Sequence, residues 1–163
     1  MPPRPRFPSG LTRLEFALVA VLAGVLLSVA LPRWQATRAE ARAVRLKMLM
    51  ATTQATASLF HGRCAHLRAA EPQTSCERLP LQGTTVAGIH GWPRAEPGGI
   101  VAALKPWDAL ADIEWQPDRL EGVPALRVRL KPVSAAGACE FIYAQAGSPG
   151  AVPRIALVDA SCP

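Results

Sequence analysis

Hydrophobic and polar positions divide the chain into an apolar block near its start and a mixed remainder. Residues 16–31 form an apolar run that only Gly24 and Ser28 interrupt. A helix needs about 20 residues to cross a hydrocarbon layer of about 30 Å, and the block has this length when it is counted from Leu11. Pro32 follows, and no small-residue cleavage site of the secretory type is evident, so we expect the helix to be retained.

A second helical pattern occupies residues 33–60, which contain neither Gly nor Pro. Apolar or small side chains recur there in steps of three or four, the spacing of one helical face. This predicted stripe consists of Trp34, Thr37, Ala41, Val44, Met48, Thr52, Ala55 and Leu59. We expect the stripe to pack on a folded head and the charged side to face solvent. The sequence further predicts a kink or melted turn at Pro32 and a helix end at His61-Gly62.

Beyond residue 62, Pro and Gly punctuate short segments that predict strands. Leu126, Val128 and Leu130 alternate with Arg127, Arg129 and Lys131, which predicts a half-buried strand with an open basic face. Further strands are predicted at 86–89, 113–115, 140–144 and 154–158, with a short helix in 100–110. The predicted fold class is α+β, with a long N-terminal helix packed on a small antiparallel β-sheet head.

Charge gives the membrane block an orientation and restricts the partners. Arg4 and Arg6 precede the block, so the rule that basic flanks stay inside places the N-terminus in the cytoplasm and everything after Pro32 across the membrane. The formal charge of +6 comes without a run of Lys and Arg interleaved with aromatics, which argues against a nucleic-acid partner. No catalytic motif stands out, so we expect no enzyme activity and no cofactor.

Four cysteines in an exported domain predict two disulfides. Three pairings are possible, and spacing favours the local one, Cys64 with Cys76 and Cys139 with Cys162. The alternative for the first pair is a zinc site, because histidines lie close to it in the sequence at positions 61 and 66. That spacing is not typical of a common zinc finger, and an oxidising compartment favours the bridge, so we expect no metal.

Glu15 is an acidic residue near the start of the membrane block. A charged side chain at the centre of a membrane helix costs about 2.5–3.5 kcal/mol and less near the interface, so it usually has a partner or a function. One candidate partner is a new α-amino group at Leu11 of a neighbouring copy, created by cleavage after Gly10. The alternative is an interfacial Glu15 that reaches lipid headgroups or is shielded by Arg13.

The stretch from Gly10 through Leu11 and Glu15 to Phe16, followed by the apolar run, resembles the class III signal of type IV prepilins and pseudopilins. The resemblance implies a leader at 1–10, cleavage between Gly10 and Leu11 by prepilin peptidase, N-methylation of Leu11, and a role for Glu15 in assembly. It also implies a transmembrane and polymerisation helix at 11–32 and a head at 33–163 that includes an amphipathic helix at 33–61. The chain departs from the family in having Leu11 where Phe is most common.

Residues 89–93 and 97–100, with the cysteine-bounded C-terminal hairpin, resemble the mannose-sensitive haemagglutinin type of pilin. The expected function is therefore a structural subunit of a type IV pilus used in attachment. Its expected partners are copies of itself or other pilins, prepilin peptidase and the assembly platform in the inner membrane. Expected locations are the inner membrane before assembly and an extracellular filament or a periplasmic pseudopilus afterwards.

Three alternatives remain open at this point. One is a pseudopilin of a type II secretion system. Another is a single-pass anchored periplasmic binding domain that never polymerises. The last is a minor pilin that captures DNA through Arg127, Arg129 and Lys131.

Overall fold

The computed structural model describes residues 13–105, 110–131, 139–159 and 162. Helix α1, Arg13–Ala70, passes through two compact units, and the boundary between these units falls after Arg38. The first unit contributes only the apolar start of α1 to the described residues. The second unit, here called the head, contains the rest of α1 and the strands β1 to β7 described below.

Helix α1 stays helical through Pro32, so the melted turn predicted there is not present. The predicted end at His61-Gly62, and with it the helix range 33–61, is wrong, because the helix continues to Ala70. A glycine costs a helix only about 1 kcal/mol relative to alanine. Burial of Phe60 before Gly62 and of Cys64 after it offsets that cost.

The face of α1 that the head buries is not the predicted stripe. Val44 and Met48 of that stripe are 65% and 66% exposed. The buried face lies on the other side of the helix and also recurs in steps of three, four or seven: Leu46, Thr53, Ala57, Phe60 and Cys64. Both faces have the period of a helix, so periodicity alone does not distinguish them.

The described residues of the head form two antiparallel sheets. The three-stranded sheet has the order β1 (Arg78–Leu81), β2 (Thr84–Ile89), β3 (Trp92–Pro93), and the four-stranded sheet has the order β4 (Ile113–Leu120), β5 (Val123–Leu130), β6 (Glu140–Ala144), β7 (Arg154–Asp159). Between the sheets lie a π-helical turn, Pro97–Val101, and the short helix α2, Ala102–Leu104. The α+β prediction is confirmed.

Most of the predicted strands are present, and several are longer than expected. The strand of alternating leucine and arginine is β5, and the strands predicted at 140–144 and 154–158 are β6 and β7. The segments predicted at 86–89 and 113–115 belong to β2 and β4, whereas β1 and β3 were not predicted. Part of the short helix predicted in 100–110 is α2, and residues 106–109 lie outside the described residues.

Three hairpins of the head have two-residue turns of the same kind. The turns are Gln82-Gly83, His90-Gly91 and Glu121-Gly122, and both residues of each have positive φ. This pattern belongs to type I′ turns, whose twist matches that of the flanking strands. These turns set the register of three of the five strand pairings that the described part of the head contains.

Successive turns of α1 pack on successive parts of the head. Leu46 packs with Val128 and Phe141 of the four-stranded sheet. Farther along the helix, Phe60 packs with Val86 of the three-stranded sheet. One helix therefore supports both sheets.

Candidate functional site

The apolar start of α1 exposes its large side chains along its whole length. By length and composition this helix could cross a membrane. Glu15 lies in its first turn. Gly10 and Leu11, the predicted cleavage and methylation residues, lie outside the described residues. The large exposed side chains are Leu14, Phe16, Leu18, Val19, Val21, Leu22, Val25, Leu26, Leu27, Val29, Leu31 and Trp34.

The apolar run ends at an aromatic residue with a cation beside it. The guanidinium carbon of Arg38 lies 4.8 Å from the centroid of the Trp34 ring, within range of a cation–π contact. Aromatic and basic side chains of this kind concentrate where membrane helices meet water. Trp34 therefore marks the end of the stretch suited to an apolar surrounding.

Small residues leave part of this helix surface open to close approach. A Cβ atom added to Gly24 would meet nothing within 4 Å. The hydroxyl of Ser28 donates to the carbonyl oxygen of Val25 at 2.7 Å, so it is satisfied within its own helix. Helices pack closely where small residues allow their backbones to approach. A second apolar helix can therefore pack near Gly24 without leaving the Ser28 hydroxyl unbonded.

The head part of α1 also carries an exposed apolar face, made of the predicted stripe. No Asp, Glu, Lys or Arg occurs between Lys47 and Arg63, although Met48 and Leu59 are more than half exposed. Beside Leu59 lies an apolar groove that is also lined by Gly62 and Leu81. An exposed helix face without charges suits contact with another apolar surface.

The first disulfide joins the end of α1 to the segment before β1. Cys64 and Cys76 are bonded, with their Cα atoms 5.8 Å apart, which confirms the predicted pair. Both thiols that the zinc alternative requires are used in this bond. His61, the nearest histidine, instead stacks on Trp92 with ring centroids 4.0 Å apart, and its Nδ1 lies at hydrogen-bond distance, 3.0 Å, from the carbonyl oxygen of Gly91.

The second disulfide closes the C-terminal hairpin. Cys139 comes before β6 and Cys162 after β7, and their Cα atoms are 4.7 Å apart, which confirms the second predicted pair. Both cysteines are buried and pack with Leu46 of α1 and Phe141 of β6. A bridge across a loop of this size, 23 residues apart in sequence, stabilises a domain by about 3 kcal/mol. It holds the last strand to the sheet.

The basic residues of β5 do not form an open basic face. Arg127 contacts Glu140 at 2.6 Å and Asp118 at 2.7 Å, and Arg129 contacts Glu140 at 2.8 Å. The Glu140 side chain is only 5% exposed. The prediction of an open basic face is therefore wrong at both arginines, which are partly buried. Lys131, the third basic residue of the predicted face, follows β5 and is exposed. A DNA phosphate would have to displace these carboxylates, so the DNA-capture alternative loses its surface.

The same charges shift two pKa values. The backbone N–H of Arg119, which donates to Asp118 at 2.7 Å, lowers the pKa of Asp118, and the Arg127 guanidinium lowers it further. Hydrogen bonds to Asp118 and then to Glu140 raise the pKa of Arg127. The charged forms of Asp118 and Arg127 are thereby favoured, as expected of a structural ion-pair network.

Polar contacts between the sheets fix their relative position. The buried Tyr143 hydroxyl of β6 donates to the carbonyl oxygen of Pro93 in β3 at 2.8 Å. Burial raises the pKa of Tyr143 far above its usual range. The side-chain oxygen of Gln145 accepts from the N–H of Ala95 at 3.1 Å. These residues therefore have a structural role, since they join the two sheets of the head.

Comparison with models of protein families, with curated proteins and with solved structures finds no match.

Sequence reasoning missed Glu140 and the three hairpin turns. Glu140 could not be found from spacing alone, because its role depends on the register that places it opposite Arg129. The turns did leave a signal. In each turn one polar residue and a glycine stand between two residues of types that are common in strands. The sequence Leu-Gln-Gly-Thr at residues 81–84 is one example.

Proposed function

We propose that this chain is the precursor of a structural subunit of a type IV pilus of the attachment type. One observation carries the proposal: an exposed apolar helix suited to a membrane, with Glu15 in its first turn, on an α+β head with two disulfides. The signal-like sequence before this helix supports the same class. The protein acts by polymerising, and its partners are copies of itself or other pilins.

Before assembly, the apolar part of α1 spans the inner membrane and the head lies in the periplasm. Exposure of a Leu, Val or Phe side chain to water costs about 1.5–3 kcal/mol relative to burial. Lipid removes that cost in the membrane, and the helices of neighbouring subunits remove it in a filament. The same helix therefore serves storage and assembly without refolding.

Processing prepares the helix for assembly. Prepilin peptidase cuts between Gly10 and Leu11, the new α-amino group of Leu11 is methylated, and Glu15 sets the axial position of one subunit against the next through that amine. The assembly platform in the inner membrane then extracts the subunit into the filament.

The head helix supports the same function. Its charge-free exposed face, from Met48 to Leu59, provides an apolar surface beyond the membrane segment. The two disulfides stabilise the folded head, and disulfides persist in the oxidising compartments outside the cytosol. A filament subunit outside the cell needs both properties.

The decisive experiment combines N-terminal sequencing with a matched pair of variants. Co-expression with a prepilin peptidase should give protein that begins at Leu11. Glu15→Gln should be inserted and cleaved but fail to assemble into sheared filaments. Glu40→Gln, at an exposed acidic residue of the head, is the matched control and should assemble normally.

Three outcomes would contradict the proposal. Native membrane protein that retains Met1 would remove the processing step. Normal filaments from Glu15→Gln would remove the assembly role. A processed protein that never forms filaments would point to the anchored binding domain.

A further inference from the structure

A cavity of about 480 Å³ opens in the head and has a charged lining. Its walls come from Arg68 at the end of α1, the segment 75–77 before β1, the β2–β3 turn with the following Arg94, and the Pro149-Gly150 turn. Volumes of about 300–1,000 Å³ are typical of sites for small molecules. None of the functional features described above uses this cavity, here called the arginine pocket.

Two guanidinium groups of the arginine pocket are held by backbone oxygens. Arg94 Nε donates to the carbonyl oxygen of Gly88 at 3.1 Å, and Arg68 Nε donates to that of Thr74 at 3.5 Å. Within the described residues, the terminal nitrogens of both groups have no hydrogen-bond or ion-pair partner. Arg94, which is partly buried, presents its remaining N–H groups in a fork that matches a carboxylate, and the exposed Arg68 adds a second guanidinium group to the lining.

An anionic side chain and a hydroxyl group also line the pocket. Glu77 contributes a carboxylate, and its backbone N–H donates to the Ser75 hydroxyl oxygen at 3.3 Å. That bond uses the oxygen of Ser75 as acceptor and leaves its hydroxyl hydrogen to donate. The pocket therefore combines two cationic groups with an anionic acceptor and a hydroxyl donor.

The walls of the arginine pocket are pre-organised by the first disulfide. Cys76 lines the pocket and is bonded to Cys64, one helical turn before Arg68. A Cβ atom added to Gly91 would lie 3.5–3.8 Å from His61, Cys64 and Arg68, so this turn packs directly on the bridged helix. A wall fixed before binding reduces the entropy that a ligand must offset.

We propose that the arginine pocket binds an acidic sugar unit, with the sugar carboxylate on Arg68 and Arg94 and the sugar hydroxyls on Glu77 and Ser75. A neutral sugar would leave both guanidinium groups unpaired. A bare phosphate would fill little of the volume. The pocket lies wholly within the head, so the proposal does not depend on polymerisation.

The test measures ligand binding by full-length protein purified in detergent. Isothermal titration with sodium glucuronate is the probe, and glucose and inorganic phosphate are the comparators. Wild-type protein should bind glucuronate more tightly than either comparator. Arg94→Gln and Arg68→Gln should each weaken glucuronate binding at least about tenfold, since each removes charge-assisted hydrogen bonds.

Arg78→Gln is the matched control, because Arg78 is an exposed arginine of the head on β1 and does not line the pocket. It should bind glucuronate as wild type does. Near-ultraviolet circular dichroism checks that Arg94→Gln remains folded, because this variant loses the hydrogen bond to Gly88. Arg68 is exposed, so Arg68→Gln tests the pocket without affecting that hydrogen bond. The proposal is overturned by absent glucuronate binding, by equal binding of glucose or phosphate, or by an equal loss in Arg78→Gln. Wild-type affinity in folded Arg68→Gln and Arg94→Gln would also overturn it.

Discussion

The choice of helix face in the head can be tested with two substitutions only two residues apart. Leu46 is 1% exposed and packs with Val128, Phe141 and the second disulfide, whereas Val44 is 65% exposed. Truncation of a fully buried leucine to alanine removes its transfer free energy and leaves a cavity, at a cost of about 2–5 kcal/mol. We expect Leu46→Ala to lie in that range.

The exposed member of the pair should behave differently. Val44→Ala removes no contact with the core, and alanine favours the helix by a few tenths of a kcal/mol over valine. The free energy of unfolding should therefore change by less than about 0.5 kcal/mol. The difference between the two variants, about 2 kcal/mol or more, is large enough to measure.

Urea unfolding of the full-length protein in detergent, followed by near-ultraviolet circular dichroism, gives both free energies. Disulfides remain intact in all samples, so that they affect each variant equally. If Val44→Ala destabilises the head more than Leu46→Ala does, the predicted stripe, and not the observed face, packs on the sheets.

Three further predictions concern the charged residues and one turn. Glu140→Gln should lower the free energy of unfolding by about 1–3 kcal/mol, because it leaves Arg129 without its carboxylate and Arg127 with one carboxylate instead of two; an unchanged midpoint in urea would contradict this role. The pKa of Asp118 is lowered by folding, so its stabilising effect is complete above its unfolded value of about 3.8 and is lost as the pH falls through the lower folded value. Thermal melts of wild type and Asp118→Asn should therefore differ at pH 6 and converge in strong acid. Gln82→Asn should raise the melting temperature slightly, since asparagine adopts positive φ more readily, and a lower melting temperature would refute the turn assignment.

Local features of the sequence were sufficient to predict several elements. The apolar run 16–31, counted with the residues from Leu11 that precede it, predicts a helix that could cross a membrane by length and composition. The leucine–arginine alternation of β5 predicts a strand with one buried face, and Leu126, Val128 and Leu130 are buried. The cysteine pairing also followed, because hairpin strands return Cys139 and Cys162 to the same end of the sheet.

The buried face of α1 could not be predicted from the same kind of pattern. Alanine and threonine occur all round this helix, and two stripes of helical period compete. Phe60 and Cys64 could have favoured the observed face, since a large aromatic and a bridged cysteine are strongly buried residue types. Only contact with the sheets decides which stripe is covered.

The charges of β5 show the same limit. A strand with Arg127 and Arg129 on one face predicts a basic surface when it is considered alone. Register places Glu140 of the neighbouring strand opposite Arg129 and brings it into contact with both arginines. Charge along one strand therefore does not determine the charge of a sheet surface.

The sequence by itself predicted the long apolar helix and the β-rich head and favoured the observed disulfide pairs, because these features depend on composition or on spacing between positions near in sequence. The tertiary structure decided which side of α1 is buried, which arginines are neutralised and which are left to line a pocket. Those properties depend on side chains distant in sequence, whose contacts form only when the helix and both sheets are packed together.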